Sequence, residues 1–419
     1  MKKEDIWIEY ANYKPQSLSR YQGNKFIEAL PLKLGIEDFI ATSIRDPEYK
    51  DSERFLPNSE RCQAPFALKD WFMPTNNHVQ LYDNIDLLIR NGYVERQKRS
   101  RSYPLPPAAA ALIGVAGTGK SYGNMHVLNC YPDIIIHDTE KYPQLPRYQL
   151  PKLVITAPED GDTKRIPELV YKALSALLSE HLNIRINKND DMKFWMKQFS
   201  VGMLVVEEIQ FLLQLGVNNY DPVINALVSL CNELCVPLVF IGTMDIRKIF
   251  EGSLAQSRRV QCTNMPYWLP FHRVATHTEQ NPSSQSLHPN FIEFMEEMWP
   301  YQWTQDKTEL TADILEAFYE ATAGIPDFMV KLFQLTQIQL MNDKEQEKRS
   351  DERMTPQYIE DVANKYFDIA MPKIRAIRNR TPEDLDKYPD MDFTGLPEIQ
   401  QLAKDLMIAP EEPMYGTKL

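Results

Sequence analysis

Gly114-Val-Ala-Gly-Thr-Gly-Lys120-Ser121 fits the pattern GxxxxGK[ST] of a phosphate-binding loop. The motif follows the apolar run Ala109 to Val115 and opens a helical stretch that begins at Lys120. Glycines permit a tight loop whose backbone N–H groups face phosphate oxygens, and the N-terminus of the following helix adds a favourable dipole. The motif therefore predicts a P-loop that holds the phosphates of a nucleotide.

The residues predicted to bind the cofactor are consecutive: Gly114, Val115, Ala116, Gly117, Thr118, Gly119, Lys120, Ser121 and Tyr122. Lys120 is expected to contact the β- and γ-phosphates, and the Ser121 hydroxyl is expected to ligate a magnesium ion that bridges them. The predicted cofactors are ATP and Mg²⁺.

After the prolines at 104, 106 and 107, short apolar runs alternate with amphipathic stretches, as expected for a parallel sheet covered by helices. The predicted strands are Ala109 to Val115, Ile134 to His137, Lys152 to Ala157, Gly202 to Val206 and Pro237 to Gly242. Helices are predicted over Lys120 to Cys130, Lys164 to Leu178, Asp191 to Phe199 and Pro222 to Leu234. The pattern indicates an α/β P-loop NTPase fold, followed by a small C-terminal helical domain.

A second motif lies at Met203-Leu-Val-Val-Glu-Glu-Ile-Gln210, an apolar strand that ends in two carboxylates like a Walker B motif. Glu207 is expected to support the hydrated magnesium ion. Glu208 is expected to polarise the water that attacks the γ-phosphate. The usual first carboxylate is Asp, so the longer Glu207 makes nucleotide binding a firmer prediction than the rate of hydrolysis.

Thr243 ends the next buried run, Leu238-Val-Phe-Ile-Gly-Thr243, and is placed like a sensor-1 residue. Its strand is expected to lie between the two nucleotide motifs. The paired arginines Arg258 and Arg259 follow, and an arginine there can reach the γ-phosphate of a neighbouring subunit. With the two glutamates, these three residues complete the predicted catalytic set.

Two cations, Lys164 and Arg165, stand at a predicted helix start, where the helix dipole favours anions. A DNA phosphate backbone would satisfy both cations without any reading of base sequence. A solvated helix start explains them equally well, and a net charge of -12 neither favours nor excludes nucleic acid. DNA binding is therefore a local prediction.

Composition and length set the remaining expectations. The 43% hydrophobic and 25% charged residues are typical of globular proteins, and 419 residues suggest two packed domains. We expect an arm over 1–75, a nucleotide-binding domain over 76–280, a helical lid domain over 281–370 and a tail over 371–419. The five cysteines lack paired spacing, which argues against a disulfide framework or a zinc site. Without a membrane-spanning run or a signal segment, the chain is expected to be cytoplasmic.

Several stretches together resemble the TnsC ATPases, AAA+ regulators of heteromeric cut-and-paste transposons. They are Asn24-Lys-Phe-Ile-Glu-Ala-Leu-Pro31, Arg90-Asn-Gly-Tyr-Val94, Tyr131-Pro-Asp-Ile-Ile-Ile-His137, Leu204-Val-Val-Glu-Glu-Ile-Gln210, Ile241-Gly-Thr243, Ser257-Arg-Arg259 and Val330-Lys-Leu-Phe333. The resemblance implies an ATP-dependent homo-oligomer, a ring or helical filament around duplex DNA. It also implies that the arm meets a target selector of the TniQ or TnsD type and that the tail meets transposase subunits.

Two departures from the family pattern bear on turnover. Glu207 replaces Asp, and Ala323-Gly-Ile-Pro-Asp327 stands where many AAA+ proteins have a sensor-2 arginine, with Lys331 as the candidate substitute. Slow hydrolysis is therefore expected, with ATP acting mainly in assembly. Two alternatives stay open: a nucleotide-binding scaffold or signalling protein without DNA binding, and another DNA-remodelling AAA+ protein such as a helicase loader. Subunit number, filament geometry and the nature of the target selector are not encoded in these motifs.

Overall fold

The computed structural model describes residues 6–98, 108–160, 162, 165–186, 191–215, 221–251, 265–278, 281–379 and 387–388. Three predicted site residues, Lys164, Arg258 and Arg259, lie outside this part of the chain. Among the helices described, none combines the length and apolarity that a membrane crossing requires.

The elements up to residue 251 are, in chain order, β1 (Ile8–Tyr10), α1 (Lys25–Glu28), α2 (Ile36–Ser43), α3 (Asn58–Arg61), α4 (Asn76–Lys98), β2 (Ala109–Ile113), α5 (Lys120–Leu128), β3 (Ile134–Ile136), β4 (Tyr148–Gln149), β5 (Leu153–Thr156), α6 (Arg165–Leu182), α7 (Met192–Gln198), β6 (Leu204–Glu207), α8 (Asp221–Leu234), β7 (Leu238–Gly242) and α9 (Arg247–Glu251). Those that follow are β8 (Val274–Thr278), β9 (Asn281–Ser286), α10 (Pro289–Met298), α11 (Ala312–Thr322), α12 (Pro326–Glu345), α13 (Pro356–Tyr366) and α14 (Met371–Asn379). Short 3-10 helices cover Asp51–Phe55, Ala64–Asp70, Ile209–Leu215 and Met244–Ile246.

The main sheet has four strands in the order β2-β7-β6-β5, and every neighbouring pair is parallel. Strands buried on both faces read as continuous apolar runs, and β7 is buried along its whole length. Helical segments connect successive strands, as parallel pairing requires. The predicted α/β architecture is confirmed, and β7 lies between β2 and β6 as expected.

The assignment of one predicted strand to this sheet is wrong. The run from Ile134 forms β3 in a separate three-stranded sheet of order β1-β3-β4. β3 pairs in parallel with β1 from the N-terminal segment. Trp7 holds the start of this pairing, because its backbone N–H donates to Asp133 Oδ2 at 3.0 Å and its carbonyl accepts from Asp133 N–H at 2.9 Å. A three-residue strand carries no periodicity that would identify its partner, so the local pattern could not separate it from the main sheet.

The chain divides into two compact units. The first comprises Met1–Phe39, Asn76–Ile113 and Lys120–Tyr267, and the second comprises Ile40–Thr75, Gly114–Gly119 and Trp268–Leu419. The segment 1–75, expected to be one arm, is thus divided between the two units. Its role in partner binding stays a prediction.

In the first unit, two of the stretches that carry the family resemblance pack against each other. Asn24 caps α1, accepting from the N–H groups of Phe26 and Ile27, and its Nδ2 donates to the Tyr93 carbonyl at 3.1 Å. The Phe26 ring stacks on the Tyr93 ring with centroids 5.3 Å apart. The Arg90 guanidinium donates to the Pro31 carbonyl at 2.7 Å. These residues therefore fasten the first part of the N-terminal segment to α4.

In the second unit, residues 40–75 pack with the C-terminal helices, which confirms a helical C-terminal region. Arg61 makes a two-pronged ion pair with Glu352, with N–O distances of 2.5 and 2.6 Å and both side chains nearly inaccessible to solvent. Arg54 Nε donates to the Thr304 carbonyl at 2.8 Å. Pairs of this kind cost much desolvation free energy, so they persist only with such matched geometry.

Candidate nucleotide-binding site

The loop Gly114–Gly119 leaves the end of β2 and leads into α5, which begins at Lys120. Gly117 and Gly119 have φ of +80° and +87°, a region that residues with a Cβ rarely adopt. The Thr118 hydroxyl donates to the Val115 carbonyl at 2.7 Å, which closes the loop on itself. The sequence motif therefore folds as the strand, tight loop and helix start that phosphate binding requires.

Within the second unit, two backbone contacts brace this loop. Val115 N–H donates to the Trp268 carbonyl at 2.9 Å, and Asp327 N–H donates to the Gly117 carbonyl at 3.1 Å. A Cβ on Gly114 would come within 2.3 Å of the Trp268 carbonyl oxygen. Gly114 is therefore required by the close approach of a neighbouring backbone.

Lys120 is 8% exposed, and its environment is strongly anionic. Burial lowers the pKa of its ammonium from 10.5 to about 8, while the carboxylates of Glu208 and Asp245 act in the opposite direction. The burial penalty on this ammonium is one that a phosphate anion beside it would offset. Lys120 thus has the environment expected of a phosphate-binding lysine.

Glu207 is the last residue of β6 and is half-buried. Its pKa is raised, first by burial and then by the like charge of Glu208, whereas a hydrogen bond from the Asn124 side chain lowers it. Asn124 is 1% exposed and lies on α5, one turn after Lys120. The amide of Asn124 therefore steadies the carboxylate that is predicted to support the magnesium ion.

Glu208 follows the strand end with φ of +55°, in the left-handed region. Gln210 Nε2 donates a hydrogen bond to Glu208 Oε2. The carbonyl of Glu208 accepts from Phe211 N–H at 3.0 Å, which turns the chain into the 3-10 helix Ile209–Leu215. Glu207 is therefore in a strand and Glu208 in a turn, so the two neighbouring side chains are attached to backbone of different conformation.

Thr243 follows β7, and its hydroxyl donates to Asp245 Oδ1. Asp245 is one of the two carboxylates whose charge acts on Lys120. Thr243 is therefore linked to the P-loop lysine through Asp245. Sequence reasoning missed Asp245, Asn124 and Gln210. The signal available for Asn124 was its spacing of four residues from Lys120, which puts both on one helix face.

The remaining predicted cofactor residues differ in exposure. Val115 is fully buried, Ala116 and Ser121 are exposed, and Tyr122 is half-buried with its ring against the edge of the His126 ring. The exposed Ser121 hydroxyl fits a metal ligand better than a core residue. In the part of the chain that the structure describes, no group of three or more His, Cys, Asp or Glu side chains could hold a metal. A magnesium ion would therefore depend on phosphate oxygens and water as well as on Ser121 and Glu207.

Two further predicted positions carry cations that are already engaged. Arg165 begins α6, and its Nη1 lies 2.8 Å from Asp160 Oδ2, a pair that raises the pKa of Arg165. Lys331, the candidate sensor-2 substitute, lies on α12 with its Nζ 2.6 Å from Asp327 Oδ2. Both pairs are largely exposed, so either cation can exchange its partner for phosphate at little cost.

The residues present fit a nucleotide triphosphate, because the loop glycines adopt positive φ and Lys120 supplies a buried charge. Asn124 Oδ1 is buried without a hydrogen-bond partner, which leaves an acceptor for a donor such as a metal-bound water. The arrangement can hold a triphosphate and direct a carboxylate at a water near its terminal phosphate.

Comparison with known proteins supports this assignment. Residues 99–270 match the family model described as the bacterial TniB protein. Among curated proteins, none matches the chain.

Three solved structures are distantly similar. A Walker-type ATPase of Pyrococcus abyssi is 13% identical, covering 69% of this chain and 75% of that chain with a TM-score of 0.36. AMPPCP-bound DnaA from Aquifex aeolicus is 15% identical, covering 68% and 69% with a TM-score of 0.33. A structure concerning katanin self-assembly is 11% identical, covering 86% and 97% with a TM-score of 0.34. Similarity at these TM-scores does not establish the fold, which follows from the strand order of this chain alone.

The match at residues 99–270 spans the P-loop, both glutamates and Thr243. The predicted resemblance to a transposon-associated ATPase is thereby confirmed. Over residues 99–270 the chain is similar to the bacterial TniB protein family, a match that supports a transposon-associated ATPase.

Proposed function

We propose that the protein is an ATP-dependent regulator of transposition that oligomerises on duplex DNA and links a target-site selector to the transposase. The observation that carries the proposal is the buried Lys120, which directly follows the P-loop and lies in the field of Glu208 and Asp245. This geometry makes the charge state of the site depend on whether a triphosphate is bound. A site of that kind suits a switch whose assembly depends on nucleotide.

In this proposal ATP is the substrate, and each residue has one task. The P-loop from Gly114 to Gly119 and Lys120 bind the phosphates, while Ser121 and Glu207 would hold Mg²⁺. When bound, magnesium would neutralise part of the phosphate charge. Glu208 accepts the proton of the attacking water, and Thr243 is the polar residue beside the terminal phosphate.

Turnover is expected to be slow. Glu207 is one methylene longer than the usual Asp, and no arginine is present in Ala323-Gly-Ile-Pro-Asp327. Lys331 would have to leave Asp327 to reach a phosphate. We therefore assign ATP binding to assembly of the homo-oligomer and hydrolysis to its release, with Arg258 and Arg259 acting on a neighbouring subunit's nucleotide.

DNA contact is proposed at Lys164 and Arg165. Arg165 is 41% exposed at the start of α6, where the helix dipole favours anions. A DNA phosphate would replace Asp160 as its partner. Because Glu159, Asp160 and Asp162 closely precede these cations in sequence, the contact is expected to be weak in one protomer and effective only when many protomers share the DNA.

The experiment is an assembly assay with an ATP analogue and duplex DNA. Wild-type protein should form rings or filaments in negative-stain images, and Lys120→Ala should remain monomeric. The double variant Lys164→Ala, Arg165→Ala should bind DNA less tightly and with a smaller salt slope, since fewer counterions are released. If wild-type protein stays monomeric with DNA and nucleotide, and Lys120→Ala behaves identically, the proposal is rejected.

A nucleotide-binding scaffold without DNA contact is the second candidate, favoured by the Arg165 to Asp160 ion pair. It predicts nucleotide-dependent association that proceeds without DNA and is insensitive to the double substitution. A helicase loader or related remodelling AAA+ protein would assemble on DNA as well. Its partners, sought with the arm and the tail deleted in turn, would distinguish it from a transposition regulator.

A further inference from the structure

The two glutamates that end β6 are each approached by an amide side chain. Asn124 donates to Glu207, and Gln210 Nε2 donates to Glu208 Oε2. Both amides have their carbonyl oxygens buried without a hydrogen-bond partner. A buried polar atom without a partner costs free energy, so a reason for retaining these amides has to be sought.

We propose that Gln210 is a positioning residue for ATP hydrolysis, which fixes the carboxylate of Glu208 toward the attacking water. The inference rests on the proposed function, in which Glu208 accepts the proton of that water. In that step the water oxygen bonds to the γ-phosphorus, the bond from this phosphorus to the bridging oxygen of ADP breaks, and the water proton passes to the carboxylate. Gln210 touches neither water nor phosphate and acts only through Glu208.

The backbone at Glu208 supports a need for positioning. A non-glycine residue at φ of +55° is uncommon and is kept there only by its surroundings. The Glu208 side chain is attached to a turn residue, directly after the strand that ends at Glu207. The hydrogen bond from Gln210 to Oε2 restricts rotation of the carboxylate and so sets the direction of the second oxygen.

The seat of Gln210 also depends on the neighbouring sensor strand. A Cβ on Gly242 would come within 2.7 Å of Gln210 Oε1, closer than such atoms approach. Gly242 therefore leaves the room that the amide occupies, directly before Thr243. Gln210 thus donates to Glu208 through one end of its amide and lies against Gly242, the residue before Thr243, with the other.

The charge of the site explains why an amide is suited to this task. Glu207 and Glu208 are neighbouring carboxylates of like charge, which repel each other. A neutral donor can hold Glu208 without adding charge. A carboxylate at this position would repel Glu208, and a cation would compete with Lys120 for the Glu208 carboxylate. Among uncharged side chains of this length, only glutamine offers an N–H donor.

The test is steady-state ATP hydrolysis by the full-length protein with Gln210→Met, which keeps the volume and removes the donor. The turnover number should fall by about tenfold or more, as expected when a general base is misdirected, while ATP affinity stays within about twofold. The matched control is Gln339→Met on α12, which removes an amide donor to the Asp343 carboxylate at 2.8 Å. This control should leave turnover unchanged.

Two further variants separate positioning from folding and from the role of Glu208. Gln210→Glu is isosteric and can donate when protonated, so its turnover relative to wild type should recover as pH falls. Glu208→Gln should abolish turnover, and adding Gln210→Met to it should cause no further loss. Turnover of Gln210→Met within twofold of wild type, or no pH recovery in Gln210→Glu, would overturn the inference. Wild-type turnover by Glu208→Gln would instead reject the assigned base and the proposed mechanism with it.

Discussion

Lys120 carries its charge into a buried position, which is costly before any phosphate is bound. Its pKa of about 8 means that burial outweighs the attraction of Glu208 and Asp245. Asn124 and Gln210 supply neutral donors to the adjacent carboxylates. At the scale of single residues, the burial cost of the Lys120 charge is thus one that a bound phosphate would offset.

The first prediction concerns stability at the residue scale. The folded-state pKa of Lys120 lies below its ordinary 10.5, so its cost is full below pH 8 and disappears as pH rises through 10.5. Lys120→Met should therefore unfold at a higher temperature than wild type at pH 7. The difference should shrink between pH 8 and 10.5 in thermal melts without nucleotide. Lys172→Met, which removes an exposed ammonium, should show no such pH-dependent gain.

ATP affinity should also depend on the protonation of Lys120, but it should fall as pH rises. Phosphate stabilises the protonated ammonium, so nucleotide binding above pH 8 requires uptake of a proton by Lys120. Affinity should be insensitive to this group below pH 8 and fall by up to about tenfold per pH unit above it. Calorimetry at pH 9 in buffers of different ionisation enthalpy should detect the proton taken up. An affinity that rises with pH through this range would contradict the assignment.

Asn124 gives a prediction about metal. Its hydrogen bond lowers the pKa of Glu207 against the effect of burial, so Asn124→Ala should make this carboxylate harder to ionise and less able to support Mg²⁺. The magnesium concentration for half-maximal hydrolysis should increase several-fold, on the order of a lost supporting contact to a metal ligand. Nucleotide affinity measured without magnesium should be unchanged. An unaltered magnesium titration would remove Asn124 from this role.

At the scale of elements, the segment before α12 makes the most demanding turn. Ala323 and Gly324 have φ of +50° and +68°, and they end α11 before Pro326 begins the next helix. Phe271 N–H donates to the Gly324 carbonyl at 2.9 Å. Because Asp327 N–H in turn contacts the P-loop at Gly117, this turn is a structural support of the loop within the second unit.

Gly324→Ala should therefore be strongly destabilising. Its Cβ would lie 2.1 Å from the Phe271 carbonyl oxygen, in addition to the cost of a positive φ. Gly23→Ala is the matched control, since Gly23 has φ of +75° with open space around it. The control should lose about 1–2 kcal/mol of unfolding free energy, from the left-handed backbone alone. Gly324→Ala should lose clearly more in denaturant titrations, and an equal loss would show that the close approach is relieved.

At the scale of the whole molecule, the N-terminal segment 1–75 is divided between the two compact units and does not form one separate arm. In its first part, β1 pairs with β3, and Asn24, the N-cap of α1, donates to the Tyr93 carbonyl on α4. Residues 40–75 belong to the same unit as the C-terminal helices. The stretches that carry the resemblance to transposition regulators include these packing contacts. The likeness therefore reflects how the segment is held as well as any partner that it meets.

Arg61 tests that attachment. Removing its guanidinium by Arg61→Ala leaves the Glu352 carboxylate buried without its ion-pair partner. The loss of unfolding free energy should be about 3–5 kcal/mol, measured by denaturant titration. Lys348→Ala removes an exposed ammonium that lies 3.9 Å from the Asp343 carboxylate in the same unit, and it should cost less than about 1 kcal/mol. Similar losses for the two variants would mean that the buried pair is not needed to hold residues 40–75.

The sequence by itself determined the chemistry of the P-loop, the paired glutamates and the strands and helices of the main sheet. These follow from local rules: glycine at positive φ, apolar runs in buried strands, and helical spacing. Only the tertiary structure decided that β3 pairs with the N-terminal segment, that Asp160 pairs with Arg165, and that Gln210 holds Glu208. The physical reason is that side-chain partners and the pairing of a short strand depend on residues distant in sequence, as in the contact between Trp7 and Asp133, 126 positions apart. Even for partners near in sequence, such as Gln210 and Glu208, the neighbouring strand matters, because a Cβ on Gly242 would come within 2.7 Å of Gln210 Oε1.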